Sequence, residues 1–241
     1  MRRPLTVAAA QPTCRPRDVA ANAVAHARAV RAAESRLVVF PELSLTGYVL
    51  DADDVDPDDP ALDPLRVACA GTETVALVGA PVAEAGRRSI ATLRVDGENV
   101  TVAYRKTWLG AAEEPHFAAG DGPTVLTVDG WRLGLALSRD TRSARHPAGT
   151  AALGVDAYVA GVVHRPDELP EQEARATVLA RACRAYVVLA SAAGAVGPDY
   201  PRTCGGSGVW SPDGLAITRI GADPDDLARA TLVREPRPDG G

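Results

Sequence analysis

Lysine is all but missing from this sequence: of 26 basic residues, Lys106 is the only lysine and the rest are arginine. Arginine is a broad planar fork and lysine a compact point charge on a flexible stem, so the one position that keeps lysine is where a compact charge is needed. An excess of positive charge is missing too. The formal net charge is −5, which argues against general attraction to nucleic acid or anionic lipid, because phosphate binding relies on clustered Lys and Arg. No apolar run approaches the roughly 18 residues of a membrane span. Behind Met1-Arg2-Arg3-Pro4, the apolar stretch at residues 5–10 is too short for the core and cleavage site of a signal peptide. The expectation is a cytoplasmic protein acting on a small molecule, with neither nucleic acid nor membrane as partner.

Motifs for metals and phosphates are absent as well. The four cysteines (Cys14, Cys69, Cys183, Cys204) form no CxxC pair and no Cys/His spacing of the zinc type, and they read as buried small hydrophobes. The acidic stretch at residues 51–63 fails as a calcium loop, because Val55 and Asp56 stand where an oxygen ligand and a glycine are required. No metal and no cofactor is expected. Gly205-Gly206-Ser207-Gly208 falls short of GxSxG, since Val209 occupies the second glycine's place. Those glycines read instead as tight backbone packing.

What is present is enough apolar content, 46% hydrophobic against 24% charged, for one globular unit spanning residues 1–241. Short apolar runs at residues 5–10, 36–40 and 74–82 read as buried strands. Between the first two, Asp18 is placed to cap a helix whose Val19, Ala23, Ala27 and Val30 form one apolar stripe. Residues 65–70 suit a short helix. Strand pairs 89–95 with 101–105 and 124–128 with 131–137 flank Asp96-Gly97 and Asp129-Gly130, both strong hairpin signals. The second half repeats the scheme with a strand at 157–163, a helix at 170–184 and a strand at 186–190. A third hairpin, 208–211 with 215–220, turns at Pro212-Asp213-Gly214. This order predicts an α/β protein with two mixed sheets packed face to face and helices outside.

Glu42, Lys106 and Ser138 each follow a predicted strand, and strand ends in α/β folds commonly frame the active cleft. Their surroundings are specific. Phe40-Pro41-Glu42 with Thr46-Gly47-Tyr48 resembles the FPE…TGY segment of carbon-nitrogen hydrolases; Tyr104-Arg105-Lys106-Thr107-Trp108-Leu109 resembles their YRKxHL segment; Gly134-Leu135-Ala136-Leu137-Ser138-Arg139-Asp140 is similar to their GxxxCxD segment. Ala8-Ala9-Ala10-Gln11 resembles the family's opening strand, and order and spacing agree along nearly the whole chain.

The resemblance implies a four-layer α-β-β-α sandwich and metal-free hydrolysis of amide, N-carbamoyl or nitrile bonds through a thioester. It makes Glu42 the general base, Lys106 the stabiliser of the tetrahedral oxyanion, and the backbone amide of Arg139 a second oxyanion donor. It also implies an additional glutamate, Glu113 or its neighbour Glu114, and a homodimer or larger assembly. The catalytic cysteine's place is taken by Ser138. A hydroxyl is far harder to deprotonate than a thiol, so two readings stay open: a hydrolase, or a silent binding or regulatory module that keeps the pocket. Arg139, Trp108 and Arg145-His146-Pro147 also depart from the usual family residues. Arg139 and Arg142 are candidates to meet a substrate carboxylate, though solvent exposure is the commoner fate of such arginines. His26 and His164 read as structural or exposed. A Ser138–His146–Asp140 triad is conceivable, but the spacing does not require it.

Overall fold

A computed structural model describes residues 3–234; the Met1-Arg2 start and the tail 235–241 of the expected unit lie outside the described residues. The first half runs β1 (Leu5–Ala10), α1 (Val19–Ala33), β2 (Leu37–Val39), α2 (Asp63–Thr72), β3 (Val75–Glu84), β4 (Arg87–Val95) and β5 (Val100–Arg105). The second runs β6 (Thr124–Val128), β7 (Trp131–Leu137), α3 (Arg145–Ala152), β8 (Ala157–Val162), α4 (Leu169–Cys183) and β9 (Tyr186–Ser191). Short strands β10 (Ala193–Gly194), β11 (Thr203–Cys204), β12 (Gly208–Trp210) and β13 (Ala216–Arg219) follow, and β14 (Leu227–Leu232) closes the described chain.

Two mixed six-stranded sheets result, ordered β14-β1-β2-β3-β4-β5 and β13-β12-β9-β8-β7-β6. In each, three parallel strands (β1, β2, β3 and β7, β8, β9) continue into two antiparallel ones. The halves therefore share a topology without sharing a sequence repeat. The parallel strands are buried on both faces, which is why they read as near-continuous apolar runs. On β1, Leu5, Val7 and Ala9 face the other sheet, meeting a core that includes Leu133, Leu135 and Val159. Ala8 and Ala10 face α1 and α2, where Ala23, Ala27, Val30 and Leu65 pack. On the opposite outside, Tyr158, Val187 and Leu189 pack under Leu179 and Ala180 of α4. The four layers are thus helix, sheet, sheet, helix.

Local signals behave as their chemistry demands. The Asp18 carboxylate accepts from the Ala21 amide at 2.9 Å, capping α1. Asp129 and Gly130, at φ 48° and 79°, make the tight β6–β7 turn that needs two left-handed residues. Elements that went unread in the sequence include β14, the helix α3, the short strands β10 and β11, and a 3-10 turn at Ser138–Arg142. Among the described residues no helix is long and apolar enough to cross a membrane.

Candidate active site

The ends of both sheets build the site. Glu42 lies just beyond β2, on a bend threaded between two strand glycines: a Cβ on Gly79 of β3 would stand 2.3 Å from the Leu43 amide nitrogen, and one on Gly161 of β8 2.6 Å from the Phe40 carbonyl oxygen. Neither strand admits a side chain there. Sequence reasoning passed over both glycines, although glycine inside an apolar strand is the usual mark of such close approach. Lys106 directly follows β5 and is held by its own backbone, its N–H donating to Ile90 O and its carbonyl accepting from the Gly120 amide, both at 2.8 Å.

Ser138 directly follows β7 at φ 24°, a left-handed backbone that is strained for any residue but glycine. The strain is held by Asp140, whose buried carboxylate accepts from the Leu137 amide (2.9 Å), the Trp108 amide (2.8 Å) and the Tyr104 hydroxyl (2.8 Å). Asp140 thereby ties the Ser138 turn to the segment behind Lys106. His146 belongs to the same buried cluster, with Nε2 3.0 Å from the Tyr104 hydroxyl and Nδ1 3.0 Å from that of Tyr158. The hydroxyl of Ser138 does not meet it, so no Ser138–His146–Asp140 triad is assembled.

Ser138 Oγ donates to Glu42 Oε2 and accepts from the Val163 amide at 3.1 Å. The other Glu42 oxygen takes an N–H from Lys106 Nζ at 2.6 Å, and Nζ also donates to Glu113 Oε1 at 2.7 Å. Glu113 Oε1 further accepts from the Tyr48 hydroxyl (2.6 Å), and Oε2 from the Gly110 amide (2.7 Å). Two of the three ammonium protons are engaged in this way, leaving one for an incoming oxygen. Glu42, Lys106 and Glu113 are each at least 98% buried. Glu114 is exposed, so of the two neighbouring glutamates the fold brings Glu113 to the cluster.

One ammonium between two buried carboxylates drives their affinities for protons apart. Burial pushes Glu42 up to about 7 against the pull of Lys106, and the Glu113 charge adds to the rise. For Glu113, burial also works upward, but Lys106 and the Gly110 amide outweigh it and the group is held below its usual range. Burial alone would lower Lys106; the two carboxylates overcome it and raise its pKa. The cluster therefore holds a firm anion, a firm cation and a carboxylate poised near neutrality, a division of labour that suits proton transfer.

Above the cluster opens a cavity of about 150 Å³, walled also by Arg139, Arg142, Val163, His164, Glu168 and Tyr200. Arg139 and Arg142 are exposed, and Arg142 is paired with Glu168. His164 is buried rather than exposed, and it reaches the cavity wall. His26 is structural, with Nε2 2.9 Å from Ser44 Oγ beneath the bend. All four cysteines are free thiols, and burial pushes Cys14 and Cys69 up to about 12. Among the described residues no cluster of His, Cys, Asp and Glu could hold a metal ion.

Residues 6–236 match the family model "Carbon-nitrogen hydrolase", and the chain belongs to that family. A protein named "Hydrolase in pqqF 5'region" from Pseudomonas protegens is 30% identical over 234 residues, which cover 92% of this chain and 80% of that protein. An (R)-stereoselective amidase from Pseudomonas sp. is 26% identical over 202 residues, 82% of this chain and 73% of its own. Among solved structures, a cysteine-to-serine mutant of the Nesterenkonia AN1 amidase, from the nitrilase superfamily, matches with TM-score 0.83 at 25% identity, covering 96% of this chain and 92% of that one. The protein is therefore a carbon-nitrogen hydrolase by family and by fold.

Proposed function

We propose that the cavity hydrolyses a small amide, N-carbamoyl compound or nitrile, with Glu42 as general base, Lys106 as oxyanion donor, Glu113 as its positioning partner and position 138 as the nucleophile. The observation that carries this reading is the contact of Ser138 Oγ with Glu42 inside one buried network with Lys106 and Glu113. For an amide, Glu42 takes the nucleophile's proton as its heteroatom bonds to the carbonyl carbon. The oxygen, now negative, is met by the remaining Lys106 proton and by the Arg139 amide. Collapse expels the amine, which leaves with the proton held by Glu42, and water then cleaves the acyl-enzyme with Glu42 again as base.

In this reading Ser138 stands in a cysteine's place, as the likeness of residues 134–140 to the GxxxCxD segment implies. The test is direct: the chain and its Ser138→Cys form are incubated with simple amides, N-carbamoyl compounds and nitriles, and the reading requires the cysteine form to turn over at least one of them.

The same roles fix a pH dependence. A base must be ionised to act, so kcat/KM of the cysteine form should rise with pH through a midpoint set by Glu42, which this environment pushes up to about 7. Because the Glu113 charge contributes to that rise, Glu113→Gln should move the acid limb to lower pH. A limb that stays in place or moves upward contradicts the assignment.

We also infer one hydrolase domain over residues 1–241, acting in the cytoplasm as a homodimer or larger homo-oligomer. Val178 and Leu215 are 63% and 66% exposed, on segments joined by the hydrogen bond from Thr177 Oγ1 to Gly214 O at 3.2 Å. Such apolar surface favours self-association, and a monomer in a sizing measurement would refute it.

A further inference from the structure

Among the described residues, two buried side-chain polar atoms lack a hydrogen-bond partner: Arg94 Nε and His164 Nε2. Only His164 lines the cavity, and it is 3% exposed. Its tautomer follows from its neighbours. Gln172 Nε2 donates to the carbonyls of Gly205 and Gly206, at 3.0 and 3.2 Å, so Gln172 Oε1 is the acceptor end of that amide. This oxygen accepts from Ser191 Oγ at 3.0 Å and lies 2.7 Å from His164 Nδ1. Two acceptors cannot bond, so Nδ1 carries the hydrogen. Burial lowers the His164 pKa, with the nearby Arg142 and Arg175 adding to the effect, and the neutral ring that results presents a bare lone pair at Nε2. Leaving such an acceptor unpaired costs stability, and unpaired groups of this kind in a native structure call for a functional account.

The neighbouring arginines are weaker candidates for recognition. Arg142 is engaged by Glu168, whose other oxygen accepts from the Arg165 amide at 2.8 Å, so its charge is answered within the wall.

We propose that His164 is a specificity-determining residue whose Nε2 accepts a hydrogen bond from a hydroxyl or N–H group on the acyl side of the substrate, one or two carbons from the reacting carbonyl. The inference rests on the cavity being the amide site proposed above. Two observations set the position of the donor. His164 directly follows Val163, whose amide donates to Ser138 Oγ at 3.1 Å, and it lines the same cavity as Ser138. The cavity, about 150 Å³, has the size for a small ligand, so the reacting carbonyl and the donor are taken to belong to one small molecule. The substrate class is therefore α- or β-hydroxy amides, or amides carrying a second N–H at those positions.

The test uses binding, so it does not depend on turnover. The intact protein is titrated by NMR with 2-hydroxypropanamide and with its 2-fluoro and 2-methyl counterparts, which are near it in size but lack the donor; 3-hydroxybutanamide and its counterparts form a second set. Either hydroxy amide should bind about tenfold or more tightly than its counterparts and should shift the 15N signal of His164 Nε2. His164→Leu should abolish the preference. Equal binding within both sets, a preference that survives in His164→Leu, no binding by any compound, or an Nε2 found protonated in the free protein would each overturn the proposal. Failure of the Ser138→Cys form to hydrolyse any compound sinks the hydrolase reading instead, and leaves the binding preference to stand or fall by these titrations.

Discussion

Ser138→Cys should raise hydrolysis of at least one simple amide, N-carbamoyl compound or nitrile by about a thousandfold or more, given that loss of a nucleophile can cost about a millionfold. The expectation comes from matching proton affinities. Glu42 is pushed up to about 7 by burial, and a free thiol ionises at about 8.5, so proton transfer between them is nearly level. An aliphatic hydroxyl holds its proton nearly as tightly as water does, and must climb most of that gap during attack. The strained Ser138 backbone and the Val163 amide are unchanged by the substitution, so the thiol enters an existing cradle. Product release under steady-state assay reads the outcome. If neither form turns over any compound while a ligand raises the melting temperature of both, the chain is a binding module built on a hydrolase scaffold.

Lys106→Met should damage both stability and catalysis. Lys106 is 1% exposed and donates to both Glu42 and Glu113, and removing one member of a buried ionic cluster leaves the others uncompensated, at about 3–5 kcal/mol. For a chain of this size that amounts to a fall in melting temperature of roughly 10 °C. In the Ser138→Cys background kcat should fall about a hundred- to a thousandfold, the usual loss of an oxyanion donor. A second substitution separates the two effects. Adding Glu113→Gln removes one of the stranded charges, so the double variant should recover part of the lost melting temperature without recovering turnover. An unchanged melt in Lys106→Met would mean that the cluster is not held by charge.

The strands that lead to Glu42 and Ser138 were legible because they are buried on both faces along most of their length and so keep apolar runs, as in Leu133–Leu137, whereas β5, which leads to Lys106, is mostly half-buried and was legible from its Asp96-Gly97 turn. What brings those residues together was not. The bend at Glu42 depends on Gly79 and Gly161, which lie in different sheets, and their pairing is a long-range fact. Strand β14 hides because only one face of it is covered: Ala228 and Leu232 are buried while Arg229 is exposed, and its partner β1 lies more than 200 residues earlier. Helix α3 has no apolar stripe to announce it, since its buried residues are His146, Pro147 and Thr150. The choice between Glu113 and Glu114 rested on which way one turn faces, and adjacent carboxylates in sequence do not reveal that. For the histidines, chemistry alone favoured the structural role, which suits His26. The orphaned nitrogen of His164 becomes visible only once Gln172 and its glycine carbonyls are in place.

A reagent that acylates side-chain amines has a single target in this protein. In the folded chain that amine, Lys106 Nζ, is held as an ammonium between two carboxylates at the base of the cavity, so acylation is slow until the molecule opens there. The rate of acylation would then count excursions of the site itself, apart from fraying at the chain ends or loosening of the outer helices. The scarcity of lysine makes the molecule carry its own gauge of how often its active centre comes apart.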